Sequence, residues 1–207
     1  MTQIKPTYKI SASLLNSYIY YKSNPSKKNF DGFVKRLNGV FETNYFLERG
    51  IKFEEEVFAG LHGELSDLVK DLPKQVWVNK TIELKDYNIK ISGQIDVLDE
   101  ERKRIYDIKR ISKFTEDKYD TSAQHLIYFY LRPDVQNFYY LAAVDSNESE
   151  DGYINKVAYY KRPEDRQIEQ KLFGLIKEFY DFLKENNLWQ TYTENQKAKQ
   201  YNQGGNK

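Results

Sequence analysis

The sequence of 207 residues contains no cysteine. That absence excludes disulfides, thiolate zinc sites, a cysteine nucleophile and iron–sulfur clusters. Histidine is scarce, only His62 and His125, and the two form no His-x-x-x-His pair, which disfavours an imidazole-held zinc. Carboxylate oxygen is the metal chemistry that remains. Charge of one sign is missing too: 32 Lys and Arg stand against 31 Asp and Glu, a formal charge of +1. Any polyanion site must therefore be a local patch rather than a global field. There is no run of about 18 apolar residues, and the N-terminal MTQIKPTYKI lacks a basic segment followed by an apolar one. These features predict a soluble, cytoplasmic chain with no membrane partner.

What is abundant is aromatic: 18 Tyr and 12 Phe in a chain that is 40% hydrophobic and 30% charged, with mean hydropathy −0.80. Such a composition can bury one core. A single domain is expected over residues 1–189, followed by a polar, disordered tail over 190–207.

Along the chain, Ser11 or Ser13 can cap a helix through SLLNSYIYY, and Asn29 or Asp31 another through GFVKRL, ended by Asn38-Gly39. Lys22, Lys27, Lys28, Lys35 and Arg36 accompany them and read first as a solvated basic surface. Thr43 or Asn44 starts a helix to about Leu61. Strand patterns follow in QVWVNKTIEL, YNIKISGQIDVL and RIYDIKRI, which suggest a small antiparallel unit. Then come a helix in AQHLIYFYL, strands in VQNFYYLAAV and GYINKVAYY, and a helix opened by Pro163 whose Ile168, Leu172, Leu175, Ile176, Phe179 and Leu183 recur at helical spacing. The pattern is that of an α/β (α+β) protein.

Charges inside strands need an account, and ISGQIDVLDEERKRIYDIKR carries Asp96, Asp107 and Lys109 there. Alternation puts Asp107 and Lys109 on one face of their strand. A turn about the Glu101-Arg102 bond pairs Leu98 with Ile105 and therefore places Asp96 opposite Asp107, with Cβ atoms roughly 5 Å apart. Two carboxylates that close repel, so positive charge is expected between them, from Lys109 or from a divalent cation held by both. On a helical wheel Phe46, Gly50, Phe53, Val57 and Leu61 form one apolar group and Leu47, Ile51 and Phe58 another; Glu54 falls between them, while Glu55 and Glu56 project away. A carboxylate so directed is costly without a cation or hydrogen bonds. Glu54, Asp96 and Asp107 thus make a candidate oxygen-ligand site for Mg²⁺ or Mn²⁺. Singly, each has a plain alternative: Asp107 and Lys109 as a salt bridge, Asp96 as a surface acid near a turn, Glu54 as the margin of an amphipathic face.

In these residues the sequence resembles the PD-(D/E)xK nuclease superfamily, in particular its RecB-like, phage exonuclease-like branch. The likeness runs from ISASLLNSY through AQHLIYFY. It rests on GIKFE (Gly50 to Glu54), GQID (Gly93 to Asp96), DIK (Asp107 to Lys109) and QHLIY (Gln124 to Tyr128); a second spelling of the last motif, QNFYY from Gln136 to Tyr140, falls in an expected strand.

The resemblance implies a restriction-endonuclease-like core, a central mixed β-sheet of about five strands flanked by helices. It implies a metal-dependent deoxyribonuclease, an exonuclease of recombination, repair or phage DNA processing in a bacterial or phage-infected cell; the alternative is a catalytically inactive nuclease-fold module that binds DNA or a protein partner. Glu54, Asp96, Asp107 and the backbone carbonyl of Ile108 would hold Mg²⁺ or Mn²⁺. Lys109 would orient water or stabilise developing charge, and Gln124 and Tyr128 would position the lysine or the strand. DNA, double- or single-stranded, would be met by Arg49, Lys52, Arg110, Lys113 and Lys118, which lie near the motifs in sequence. His125 is a DNA contact or, as a helix-face histidine, simply packed. A homo-oligomer or a recombination partner protein is left open.

Overall fold

Strand β1 (Thr7–Ser11) leads directly into α1 (Ala12–Ser23), and the Ser11 hydroxyl that ends the strand caps the helix by accepting from the Leu14 N–H. The computed structural model describes residues 5–40, 43–115, 117, 119–148 and 152–204, with side chains as far as 196. Helix α2 (Lys27–Leu37) is capped by Ser26, not by Asn29 or Asp31, because the helix begins one turn earlier than its apolar residues suggest. Gly39, at φ 72°, stops it as expected. Asn44 caps α3 (Tyr45–Phe58) through the Leu47 N–H, and a short α4 (Gly63–Val69) follows.

The sheet is then laid down by β2 (Lys74–Glu83), β3 (Asn88–Asp99) and β4 (Arg104–Ile111). After α5 (Ala123–Leu131) come β5 (Asn137–Asp145) and β6 (Tyr153–Lys161), and helices α6 (Asp165–Glu185) and α7 (Trp189–Gly204) close the chain. Six strands form one mixed sheet in the order β1-β3-β4-β5-β6, with β2 also paired to β3. The expected antiparallel unit is present: β2 pairs with β3, and β3 with β4. Crossover through α5 makes β4 and β5 parallel. The sixth strand is β1, paired in parallel to residues 88–92 of β3.

Helices cover both faces. The larger core gathers Leu15 and Tyr18 of α1, Phe33 of α2, Ile127 and Phe129 of α5, and Ile168, Leu172, Phe179 and Leu183 of α6 against Ile10, Ile91, Ile105 and Phe138. The smaller core packs Phe53 and Val57 of α3 and Leu65 and Val69 of α4 on Val97, Tyr106, Ile108 and Leu141. Only this part of α3 reaches the sheet, so Phe46, Leu47, Ile51 and Leu61, expected to face the core, are exposed. The segment expected to be a disordered tail is helical as far as Gly204: Tyr192 is fully buried, donates to the Lys9 carbonyl at 3.0 Å and packs on Tyr8 and Phe179. A polar composition concealed one anchoring aromatic face.

Candidate functional site

Strand β2 occupies one edge of β3 along almost its whole length. The strands β1 and β4 must then share the opposite edge, β1 against residues 88–92 and β4 against 97–99. Between them lies a gap in the ladder, and the motif Gly93-Gln94-Ile95-Asp96 spans it. The β3–β4 register pairs Val97 with Tyr106 and Leu98 with Ile105, the register read from the sequence, and it stops one step short of Asp96 and Asp107. There the strands part, and Asp96 Oδ2 accepts the Ile108 N–H at 2.9 Å. Because a residue's N–H and C=O leave a strand by the same edge, the Ile108 carbonyl also faces this gap.

Helix α5 closes the opening from the side of the larger core. Its N-terminus is tied to α1 by Asn16, whose Oδ1 accepts the Ala123 N–H at 2.7 Å, while Ser122 caps it through the Gln124 N–H. Gln124 Nε2 donates to Asp107 Oδ1. One turn later Tyr128 donates to the Gln94 carbonyl at 2.5 Å. Its ring lies so close to Gly93 that a Cβ there would overlap it, which is a packing reason for glycine at this position. Thus Gln124 touches the acid rather than the lysine, and Tyr128 holds β3. The second spelling, Gln136 to Tyr140, falls at the entrance to and within β5, as expected of a strand.

Asp107 is 1% exposed, and Lys109 Nζ lies 2.5 Å from its Oδ2, an oxygen that accepts no well-formed hydrogen bond. Burial is the largest influence on Asp107 and, with Asp96 and Glu54 adding repulsion, raises its pKa against the pull of Lys109. Burial opposes the Lys109 ammonium, yet Asp107 and Asp96 outweigh it and raise its pKa as well. Both shifts have one direction: Asp107 and Lys109 each hold a proton more tightly than in water.

On the other side, Glu54 of α3 is half-buried; burial, followed by Asp96, raises its pKa. Its Oε1 accepts from Gln75 Nε2 at 3.3 Å. Gln75, which the sequence did not single out, takes a left-handed φ of 52°, and the β2–β3 ladder skips its pairing with Asp96. Backbone strain of this kind in a non-glycine residue is uncommon.

Hard oxygen donors that repel one another, and a buried Asp107 oxygen lacking a hydrogen bond, fit a divalent cation in chemistry. Among the described residues no three such side chains already stand at gripping distance. One oxygen of Asp96 is engaged by Ile108 and one of Asp107 by Gln124, and the second oxygen of Asp107 lies beside Lys109.

Of the expected DNA-contacting residues, Arg49, Lys52, Arg110, Lys113 and His125 are described, and none of them lines the cleft beside Lys109 and Gln124. Arg49 and Arg110 converge on Asp145 at 2.7 and 2.9 Å, and Arg110 also donates to the Gly152 carbonyl and stacks on Tyr153. Lys52 stands 3.6 Å from Glu56, and Lys113 lines a groove beside β6. His125 stacks on Tyr160, 4.3 Å between ring centroids, and burial lowers its pKa to about 4, so it is packed. Lys118 is outside the described residues. A cleft of about 530 Å³ beside Lys109, Gln124 and Tyr128 is lined by the cations Lys9, Arg36 and Lys109, while Glu54, Asp96 and Asp107 are not among its lining residues. Lys22 and Lys27 pair with Glu178 and Asp31.

No protein-family model matches the chain, and no curated protein matches it in sequence. Solved structures do match its fold. A phage related exonuclease from Haemophilus somnus 129PT is 16% identical, with 93% of this chain and 96% of that one covered, at a TM-score of 0.50. A protein of Eubacterium rectale assigned as an exonuclease is 17% identical over 87% of this chain and 82% of that one, at a TM-score of 0.51. The chain shares the fold of these two structures. Among the described residues no helix is long and apolar enough to cross a membrane.

Proposed function

We propose that this chain is a metal-dependent deoxyribonuclease, an exonuclease acting in recombination, repair or phage DNA processing. One observation carries the reading: Asp96, Asp107 and Lys109 meet at the gap between β3 and β4, with Glu54 facing them from α3. Sharing a fold with two structures described as exonucleases supports it.

Glu54, Asp96, Asp107 and the Ile108 carbonyl would hold Mg²⁺ or Mn²⁺, which when bound polarises a phosphate and lowers the pKa of an attacking water. The remaining work belongs to the chain. Lys109, kept protonated by its acidic neighbours, offers an ammonium to orient water or to stabilise charge developing on the phosphate. Gln124 steadies Asp107, and Tyr128 fixes the strand that carries Asp96. Lys9 and Arg36 draw the phosphate backbone into the cleft.

The test is incubation with linear and circular DNA in Mg²⁺, Mn²⁺ or excess EDTA. Cleavage of linear DNA with metal, lost in EDTA and in Asp107→Ala, is expected. Absence of metal-dependent cleavage with DNA binding intact would favour a binding module; full activity in Asp107→Ala would refute the assigned site.

A further inference from the structure

The cleft beside Lys109 and Gln124 has an unusual lining. Lys9, Arg36 and Lys109 contribute to it, and among the described residues no Asp or Glu does, although acids and bases are nearly balanced in the chain as a whole. In the same cleft stands Trp77, with 66% of its surface exposed. A large indole left in water beside three cations needs a reason, because the chain has only two tryptophans, and the other, Trp189, packs against Tyr8 and Tyr180.

Register fixes where Trp77 lies. It pairs across β2 and β3 with Gln94, the residue whose carbonyl Tyr128 holds. Asp96 is two residues further along β3, about 7 Å at the usual strand rise. On β2 itself, Gln75 is two residues away and shares the exposed face with Trp77, and Gln75 donates to Glu54. The indole therefore stands on the strand whose Gln75 reaches Glu54, opposite the stretch of β3 that leads to Asp96. Lys9 Nζ lies 5.9 Å from the ring centroid.

We propose that Trp77 is a stacking platform for an unpaired base flanking the phosphate to be cleaved, with Lys9 beside it meeting the adjoining backbone. This inference rests on the nuclease reading and names its substrate form: a single strand, or a duplex end frayed to one. The chemistry selects that occupant. Alternating negative charge and flat π-faces match cations interleaved with an indole, and a base inside a duplex has both faces covered by its neighbours. Phosphate contacts alone would leave the tryptophan unused.

The test isolates the indole. Trp189→Phe leaves Trp77 as the single tryptophan, and its fluorescence is followed as oligothymidylate is added in EDTA, with binding measured in parallel by anisotropy of a labelled oligomer. Quenching that saturates with binding is expected. Trp77→Ala should weaken binding about 5- to 150-fold, as stacking energies imply, and Trp77→Phe should recover part of the loss. An abasic oligomer of equal length should bind the unaltered chain and Trp77→Ala alike. If the oligomer binds by anisotropy while the indole signal is unmoved and Trp77→Ala binds equally well, the platform is refuted and the nuclease reading survives. If the unaltered chain binds and cuts no nucleic acid, both fail together.

Discussion

Asp96 Oδ2 accepts the backbone N–H of Ile108 at 2.9 Å, filling the position that a β3 carbonyl would hold in an unbroken ladder. One carboxylate thus has two duties. It satisfies a buried donor where β3 and β4 separate, and it keeps negative charge beside Asp107.

The two duties separate by substitution. Asp96→Asn keeps an acceptor oxygen for Ile108 and relieves repulsion with Asp107 and Glu54, so its stability in urea should equal or exceed that of the unaltered chain while DNA cleavage is lost. Asp96→Ala leaves the Ile108 N–H without its partner and should cost about 1–3 kcal/mol. If both variants unfold at the same urea concentration, the strand-bridging duty is disproved.

Gly93 and Tyr128 should behave as one unit. A methyl group at 93 has no room beside the Tyr128 ring, so Gly93→Ala should cost about 1–3 kcal/mol. Combined with Tyr128→Ala, which opens the space, it should cost much less than alone. A double-mutant cycle reads the difference. Additive losses would place the strain elsewhere.

Acid should expose the packing of His125. Its folded pKa, about 4, lies below the ordinary 6.5 because burial disfavours the charged ring. Between those values the unfolded chain takes up a proton that the folded chain refuses, so stability falls as pH drops from 6.5 to 4, by about 3 kcal/mol in all. Above 6.5 the residue adds no pH dependence. Urea titrations at both ends of that window should show a smaller acid loss in His125→Gln than in the unaltered chain; equal losses would contradict the assignment.

Arginines near the motifs should matter for folding rather than for nucleic acid. Arg110→Ala removes an ion pair to Asp145 and a stack on Tyr153 and should lower stability by about 1–2 kcal/mol with little change in DNA affinity. Lys9→Gln should do the reverse, flattening the slope of log affinity against log salt by about 0.7 for single strands. Filter binding over a salt series distinguishes them.

How much of this was legible in the sequence follows from how local each feature is. The β3–β4 register was readable because its hairpin is short: Asp99 accepts the Arg102 N–H across the turn at 2.9 Å, and alternation then fixes each side chain. Helix α5, with Gln124 and Tyr128 one turn apart, was readable for the same reason. Strand β1 was not, because a parallel partner some 80 residues away leaves no turn signal near Thr7–Ser11. The ion pair of Arg49 with Asp145 was not legible either, because the two are 96 residues apart. The approach of Gln75 to Glu54 and the pairing of Trp77 with Gln94 were not legible, since only the pairing of β2 with β3 and the packing of α3 bring these segments together.

The most direct measurement of the central claim is a crystal of the protein soaked in Mn²⁺ and examined for anomalous scattering. The account predicts density bounded by Glu54, Asp96 and Asp107 with the Ile108 carbonyl alongside, and none there in Asp107→Ala crystals. Saturating Mn²⁺ that leaves this gap empty, or settles only at other sites, would contradict it.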